Sequence, residues 1–273
     1  MDIALLKGTA LLYLLAAGTF IIYVVLLQDF FARAAPIVLL AGFALHSAAL
    51  AAQIAHNGFP AVTDLREALS VYCWLLVGVY LVVQLKYRIT ILGCFVAPLA
   101  FLMTLGGLAS GPGGGALPPG LKTSWLYAHV TLALLGNAVF ALAFAVSVMY
   151  LVQEWRLKSK RTTALHKPLP SLERLDRLNY IFLAWGFPLM TLGILTGSLW
   201  AGVYWGDYWS WDPRQITSLI TWLLYGALLQ GRITAGWRGR RAAFLTIVGF
   251  VLVLGYFLGG DSVFASRHGG SFE

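Results

Sequence analysis

The chain has 273 residues, 59% of them hydrophobic and only 11% charged, with a formal net charge of +8. That much apolar surface excludes a water-soluble fold, and the bilayer is the expected solvent, crossed by helices of about 20 apolar residues each. The positive charge then reads as membrane topology rather than nucleic-acid binding, because Lys and Arg collect in cytoplasmic loops.

Apolar runs predict eight helices, near residues 9–27, 36–55, 69–85, 89–109, 125–152, 180–200, 214–231 and 242–260. The expected fold is an all-α polytopic membrane bundle forming one domain over residues 1–273. The first run continues into QDFFAR without a small-residue cleavage site, so it reads as a retained helix rather than a signal peptide. Pro36 and Pro213 are expected in the first turns of the second and seventh helices, where a missing N–H is tolerated. Asp64 and Glu67 have capping-box spacing ahead of the third helix. The stretch GPGGGALPPG (Gly111 to Gly120) cannot be helical and separates the fourth helix from the fifth.

Fourteen of the nineteen basic residues fall in one set of loops: Arg33, Lys86 and Arg88, seven between Arg156 and Arg177, and four between Arg232 and Arg241. This bias makes that side cytoplasmic and turns both termini outward. The basic stretch 153–179 reads as a topology anchor, with a lipid-headgroup or partner site as the functional alternative. Cys73 and Cys94 are expected at different depths, too far apart for a disulfide. The chain has no CxxC or CxxCH motif, so it is neither a thiol carrier nor a c-type cytochrome.

One segment stands apart. Residues 200–213, WAGVYWGDYWSWDP, hold four tryptophans and two tyrosines. Interfacial aromatic belts account for one or two such rings per helix end, and six in fourteen residues exceed that. In a short helix Trp205 and Trp209 would share a face, as would Tyr208 and Trp211. Such a ledge suits a flat, wide, mostly apolar ligand with a charged edge, and haem is one. Asp212 and Pro213 then resemble an N-cap and first helical residue, and Arg214 with the free N–H groups there would receive a propionate.

A haem iron needs axial ligands, commonly neutral histidine. His129 lies at the outer end of the fifth helix, four residues after Trp125, and His268 lies in the outer tail, so both fall at the level of the aromatic segment. His46 sits mid-membrane, where an ionisable residue either marks a functional site or bonds to a neighbouring helix. His56 reads as an interfacial residue and His166 as a solvated cytoplasmic one.

With these residues in view the chain resembles the CcsA (ResC-like) membrane proteins of cytochrome c biogenesis, within the "WWD" haem-handling superfamily. WGDYWSWDPR (Trp205 to Arg214) and the following ITSLITWLLYG carry most of the likeness. GFPAVTDLREAL, WLYAHV, LPSLERLD and GFPLMTLGILTG extend it over nearly all of the chain from Ala44 onward. The resemblance implies an eight-helix protein of the bacterial plasma membrane that delivers haem b to the outer face. There the haem, bound non-covalently, would be presented to CxxCH motifs of apocytochrome c. It implies His129 and His268 as iron ligands, Trp205, Tyr208, Trp209, Trp211, Asp212 and Arg214 as the haem surface, and a separate ResB-like (CcsB) membrane partner. Such a chain is a subunit of a haem-attachment synthase that positions its cargo without a nucleophile of its own. Relatives commonly carry a histidine for an inner haem site where this chain has Gln230, so either that site uses another residue, with His46 the mid-membrane candidate, or this chain lacks it. Two alternatives share the resemblance: a HemX-like regulator of haem synthesis and a CcmC-type haem exporter. A transporter for another substrate is disfavoured because the spans hold almost no charge.

Overall fold

The computed structural model describes residues 3–57, 65–110, 123–159 and 169–263, apart from the side chains of residues 214 and 256–263. Eight helices form: α1 (Ile3–Leu26), α2 (Asp29–Asn57), α3 (Leu65–Tyr87), α4 (Gly93–Ala109), α5 (Ser124–Lys158), α6 (Leu172–Trp205), α7 (Pro213–Thr234) and α8 (Arg240–Val263). A 3₁₀ turn, Thr90–Leu92, leads into α4. No strand occurs among the described residues. The chain is an all-α polytopic membrane protein. Six helices, α1 to α6 (α4 counted with its 3₁₀ turn), are long and apolar enough to cross a bilayer. Among the described residues, α7 and α8 do not join that set; α7 carries Thr217, Ser218, Thr221, Gln230 and Arg232. The glycine loop 111–120, Asp64 and His166 lie outside the described residues.

Apart from α4, which starts at Gly93 behind its 3₁₀ turn rather than at 89, the helices begin earlier than apolarity alone predicts. Pro36 is not in a first turn: α2 starts at Asp29, and Pro36 lies inside it. The residues Phe30 to Ala35 form helix readily, and Asp29 meets the positive helix start. The lost hydrogen bond at Pro36 is tolerated within an otherwise regular helix. Likewise α6 starts at Leu172, because Ser171 Oγ accepts from the Arg174 N–H at 3.3 Å. Its first turns are amphipathic, with Leu175, Leu178, Asn179 and Phe182 buried at helical spacing. At 1.5 Å per residue the 34 residues of α6 reach about 51 Å, well beyond the roughly 30 Å hydrocarbon core.

The chain divides into two compact units, residues 1–122 with 156–170, and residues 123–155 with 171–273. In the first unit α1 packs against α2 and α4, and α3 against α4. Its core is tied by polar pairs that satisfy one another away from water. Tyr13 Oη and His46 Nδ1 share a hydrogen bond of 3.2 Å, and His46 Nε2 and Ser70 Oγ share one of 2.8 Å. One side chain thus joins α1, α2 and α3, and it is fully buried. Gln53 Nε2 donates to Glu67 Oε1 at 2.7 Å, and Trp74 Nε1 donates to Ser47 Oγ at 2.8 Å. Cys73 and Cys94 are both free thiols.

In the second unit α5 and α6 run antiparallel. His129, Ala133, Gly136 and Phe140 on α5 face Gly197, Gly193, Met190 and Gly186 on α6. Small residues on each side bring the backbones close, the usual means of helix association where no hydrophobic effect operates. Phe140 also meets Tyr225 of α7 at a ring-centroid distance of 4.0 Å. The far end of this unit is fastened by an ion pair between the buried Arg232 and the half-buried Asp176. Arg232 Nη2 donates to Asp176 Oδ2 at 2.8 Å, and Arg232 Nη1 donates to Asn179 Oδ1 at 3.2 Å. Asp176 Oδ1 accepts from the Gly239 N–H at 2.7 Å, which holds the α7–α8 turn. Asn179 Nδ2 donates to Ser147 Oγ and Thr246 Oγ1, adding α5 and α8.

Candidate haem site at the aromatic end of the second unit

The antiparallel order of α5 and α6 places the start of α5, the end of α6, the segment 206–212 and the start of α7 at one end of the unit. His129 lies there, in the second turn of α5. Its Nδ1 is 2.8 Å from the Gly193 carbonyl oxygen. A carbonyl only accepts, so Nδ1 carries the proton and neutral His129 keeps its lone pair on Nε2. This is the arrangement in which a ligating histidine is oriented and made more basic by an outer hydrogen bond. Gly197, one turn further along α6, lies against the ring. A Cβ there would sit 2.5 Å from Cε1 and 2.6 Å from Nδ1 of His129. The sequence GILTG therefore supplies both an acceptor for the imidazole and the space for it. Sequence reasoning passed over Gly193 and Gly197, although their small-xxx-small spacing was in view.

The aromatic segment is not the short helix expected. α6 continues through Trp205, and Gly206 ends it in the left-handed region, φ 77°. Residues 206–212 are irregular. Trp205 thus belongs to the last turn of α6, while Tyr208, Trp209 and Trp211 sit on the connection. The buried ring of Trp200 meets Trp205 edge-on at 4.9 Å and Tyr204 at 5.4 Å. Trp209 and Trp211 form a second edge-on pair at 5.9 Å. Tyr208 folds back over Gly202, whose missing Cβ makes room for its ring. Trp211 is 66% exposed, Tyr208 is 62% exposed, and Asp212 is buried. Trp211 holds φ 54°, which costs a non-glycine residue about 1–2 kcal/mol. The rings therefore form a bent surface around a tight connection, with Trp211 and Tyr208 open to a ligand.

α7 begins at Pro213 as expected, and the Ile216 N–H donates to the Asp212 carbonyl at 3.0 Å. Gln215 Oε1 accepts from the Ser210 N–H at 2.8 Å and from Ser210 Oγ at 3.3 Å. This back-bond pins the connection to the new helix. The Asp212-x-x-Gln215 spacing is that of a capping box, but Gln215 reaches past Asp212 to Ser210. The side chain of Arg214 and the whole of His268 lie outside the described residues. His46 lies in the other unit with both ring nitrogens hydrogen-bonded. Gln230 is exposed on α7, two residues before the buried Arg232.

Comparison with known proteins places this arrangement. The sequence model described as cytochrome c assembly protein matches residues 62–265, which include His129, the aromatic segment and the Asp176–Arg232 pair. The chain belongs to the cytochrome c assembly protein family. It is similar to the cytochrome c biogenesis protein CcsA of Gloeobacter violaceus, at 33% identity over 94% of this chain and 89% of the relative. The CcsA of Microcystis aeruginosa is 31% identical over 78% of this chain and 80% of the relative. Among solved structures, cytochrome c heme lyase CcmF has the same fold, with a TM-score of 0.61 at 19% identity. That match covers 95% of this chain, which spans about half of the CcmF chain (49%). The family is one of cytochrome c biogenesis, so this is a multi-pass membrane protein of haem handling.

Proposed function

We propose that this protein holds haem b, non-covalently, at the aromatic end of its second unit and presents it for attachment to the CxxCH motif of apocytochrome c. The observation that carries the reading is the posture of His129. Its Nδ1–H is committed to the Gly193 carbonyl, so Nε2 is left for a metal, at the end of the unit that bears the aromatic segment. Trp205, Trp209 and Trp211 shield the porphyrin faces, and Tyr208 borders them. Asp212 is buried beside the start of α7, where Arg214 and the helix N-terminus meet the propionates. His268 is the second axial ligand. His46 remains the mid-membrane candidate for an inner site; in the present conformation it serves as a tie between helices.

Attachment adds a cysteine S–H across a haem vinyl group. A carbon–sulfur bond forms, the proton goes to the other vinyl carbon, and no net electrons are exchanged. The protein needs no nucleophile for this. It contributes position, an effect worth about 7–11 kcal/mol when reacting groups are well oriented. It acts as a subunit of the synthase, with a ResB-like membrane partner and apocytochrome c as its associates. In this reading the eight helices form one membrane domain with the site on the outer face of a bacterial plasma membrane, both termini outward and the basic loops anchoring the topology inside. The relatives described as cytochrome c biogenesis proteins favour this reading over a HemX-like regulator or a CcmC-type exporter.

The test is complementation. In cells lacking their own CcsA-type protein, this chain with its ResB-like partner restores haem-stained cytochrome c, and His129→Ala does not. Wild-type protein that inserts stably with that partner yet leaves apocytochrome unmodified would contradict the proposal.

A further inference from the structure

Two indole N–H groups in the aromatic segment have no acceptor among the described residues. Trp200 is 6% exposed, and its Nε1 is shielded from solvent and unpartnered. Trp209 Nε1 is shielded and unpartnered as well. Buried donors without acceptors are costly and few in folded proteins. Elsewhere two half-buried indoles are partnered, Trp74 donating to Ser47 and Trp222 donating to Thr191 at 2.9 Å. Tyr80 Oη and Gln84 Oε1 on α3 are also shielded without a partner among the described residues, but the two orphan indoles both fall in one ten-residue stretch. Each touches a ring of the haem surface, Trp200 through Trp205 and Trp209 through Trp211.

An indole N–H donates and cannot accept, so the missing partner is an acceptor. We infer that Trp200 and Trp209 are carboxylate donors of this site, taking the propionate edge of the haem through their Nε1–H groups. The inference rests on the haem reading and adds to it a residue, Trp200, that lies outside the WGDYWSWDPR stretch. Neutral donors add to the Arg214 contact without the firmness of a second cation, which suits cargo that must be surrendered to another protein.

The experiment titrates detergent-purified full-length protein, freed of haem, with haem and with haem dimethyl ester, in which neither carboxylate can ionise. Wild type is expected to prefer haem. Trp200→Phe and Trp209→Phe, which keep an aromatic ring and remove the N–H, each weaken haem binding about 5- to 10-fold and leave ester binding within about twofold. A second readout needs no variant: the ultraviolet resonance Raman band of tryptophan that reports N–H hydrogen bonding shifts further when haem binds than when the ester, whose carbonyls are weaker acceptors, binds. Equal haem affinity in wild type and both variants overturns the inference, as does equal loss of haem and ester, which marks a packing role. An unshifted Raman band on haem binding overturns it too. Wild-type protein that binds neither porphyrin overturns the haem reading itself and this inference with it.

Discussion

Gly197→Ala tests whether α6 sets the orientation of His129. The added Cβ would lie 2.5 Å from Cε1 and 2.6 Å from Nδ1, against an ordinary contact of at least 3.4 Å, so the ring must retreat by about 0.9 Å. The Nδ1–H···O bond to Gly193 starts at 2.8 Å and does not survive such a shift in good geometry. Loss of an orienting hydrogen bond of this kind typically weakens metal binding about 10- to 100-fold. Stability changes less. Overpacking costs about 1–3 kcal/mol, while alanine in place of a helical glycine returns about 1 kcal/mol. The net is a loss of about 2 kcal/mol at most, so the variant should fold. The assay pairs a haem titration, followed at the Soret band, with a thermal melt in the same detergent. The expected result is a nearly unchanged melt with haem affinity lower by at least tenfold. A variant that binds haem like wild type, while His129→Ala does not, would refute the idea that Gly197 and Gly193 position the ring.

Two further perturbations separate fold from site. His46→Leu removes both bonds that join α1, α2 and α3, at about 0.6–1.7 kcal/mol each in a membrane protein. The melting midpoint should fall while haem affinity at the aromatic segment stays within twofold; loss of haem with an unchanged melt would instead make His46 a ligand. Arg232→Met strands the Asp176 carboxylate and should destabilise by about 3 kcal/mol. Adding Asp176→Asn should recover most of that, and a double variant no more stable than the single one would show that the ion pair is not the fastening.

The helices were legible in the sequence because eight runs of apolar residues, with basic loops on alternate turns, admit few other readings. Their ends were not. Apolarity locates the lipid-facing middle of α6, but its first two turns lie outside that pattern, and only the Ser171 cap and the buried stripe from Leu175 to Phe182 reveal them. Pro36 misled for a related reason: a proline reads as a boundary in water-soluble helices, and here the helix runs through it. In the site, the density of Trp200, Trp205, Trp209 and Trp211 and the placing of His129 could be read directly. The shape of the segment could not, because Gly206 and the left-handed Trp211 turn the chain away from helix after Trp205. The roles of Gly193 and Gly197 and the Asp176–Arg232 pair depend on which helices meet, and a single sequence without that pairing cannot disclose them, while Gln215 acts locally on Ser210.

The central claim is that iron is bound through Nε2 of His129 beside the indole surface. The absorption spectrum of the protein purified from haem-replete cells, alongside its His129→Ala variant, tests it most directly. The account predicts a six-coordinate b-type spectrum in the wild type, its loss in the variant, and partial return when imidazole is added. A colourless wild type, or a variant with the same spectrum as wild type, would contradict it.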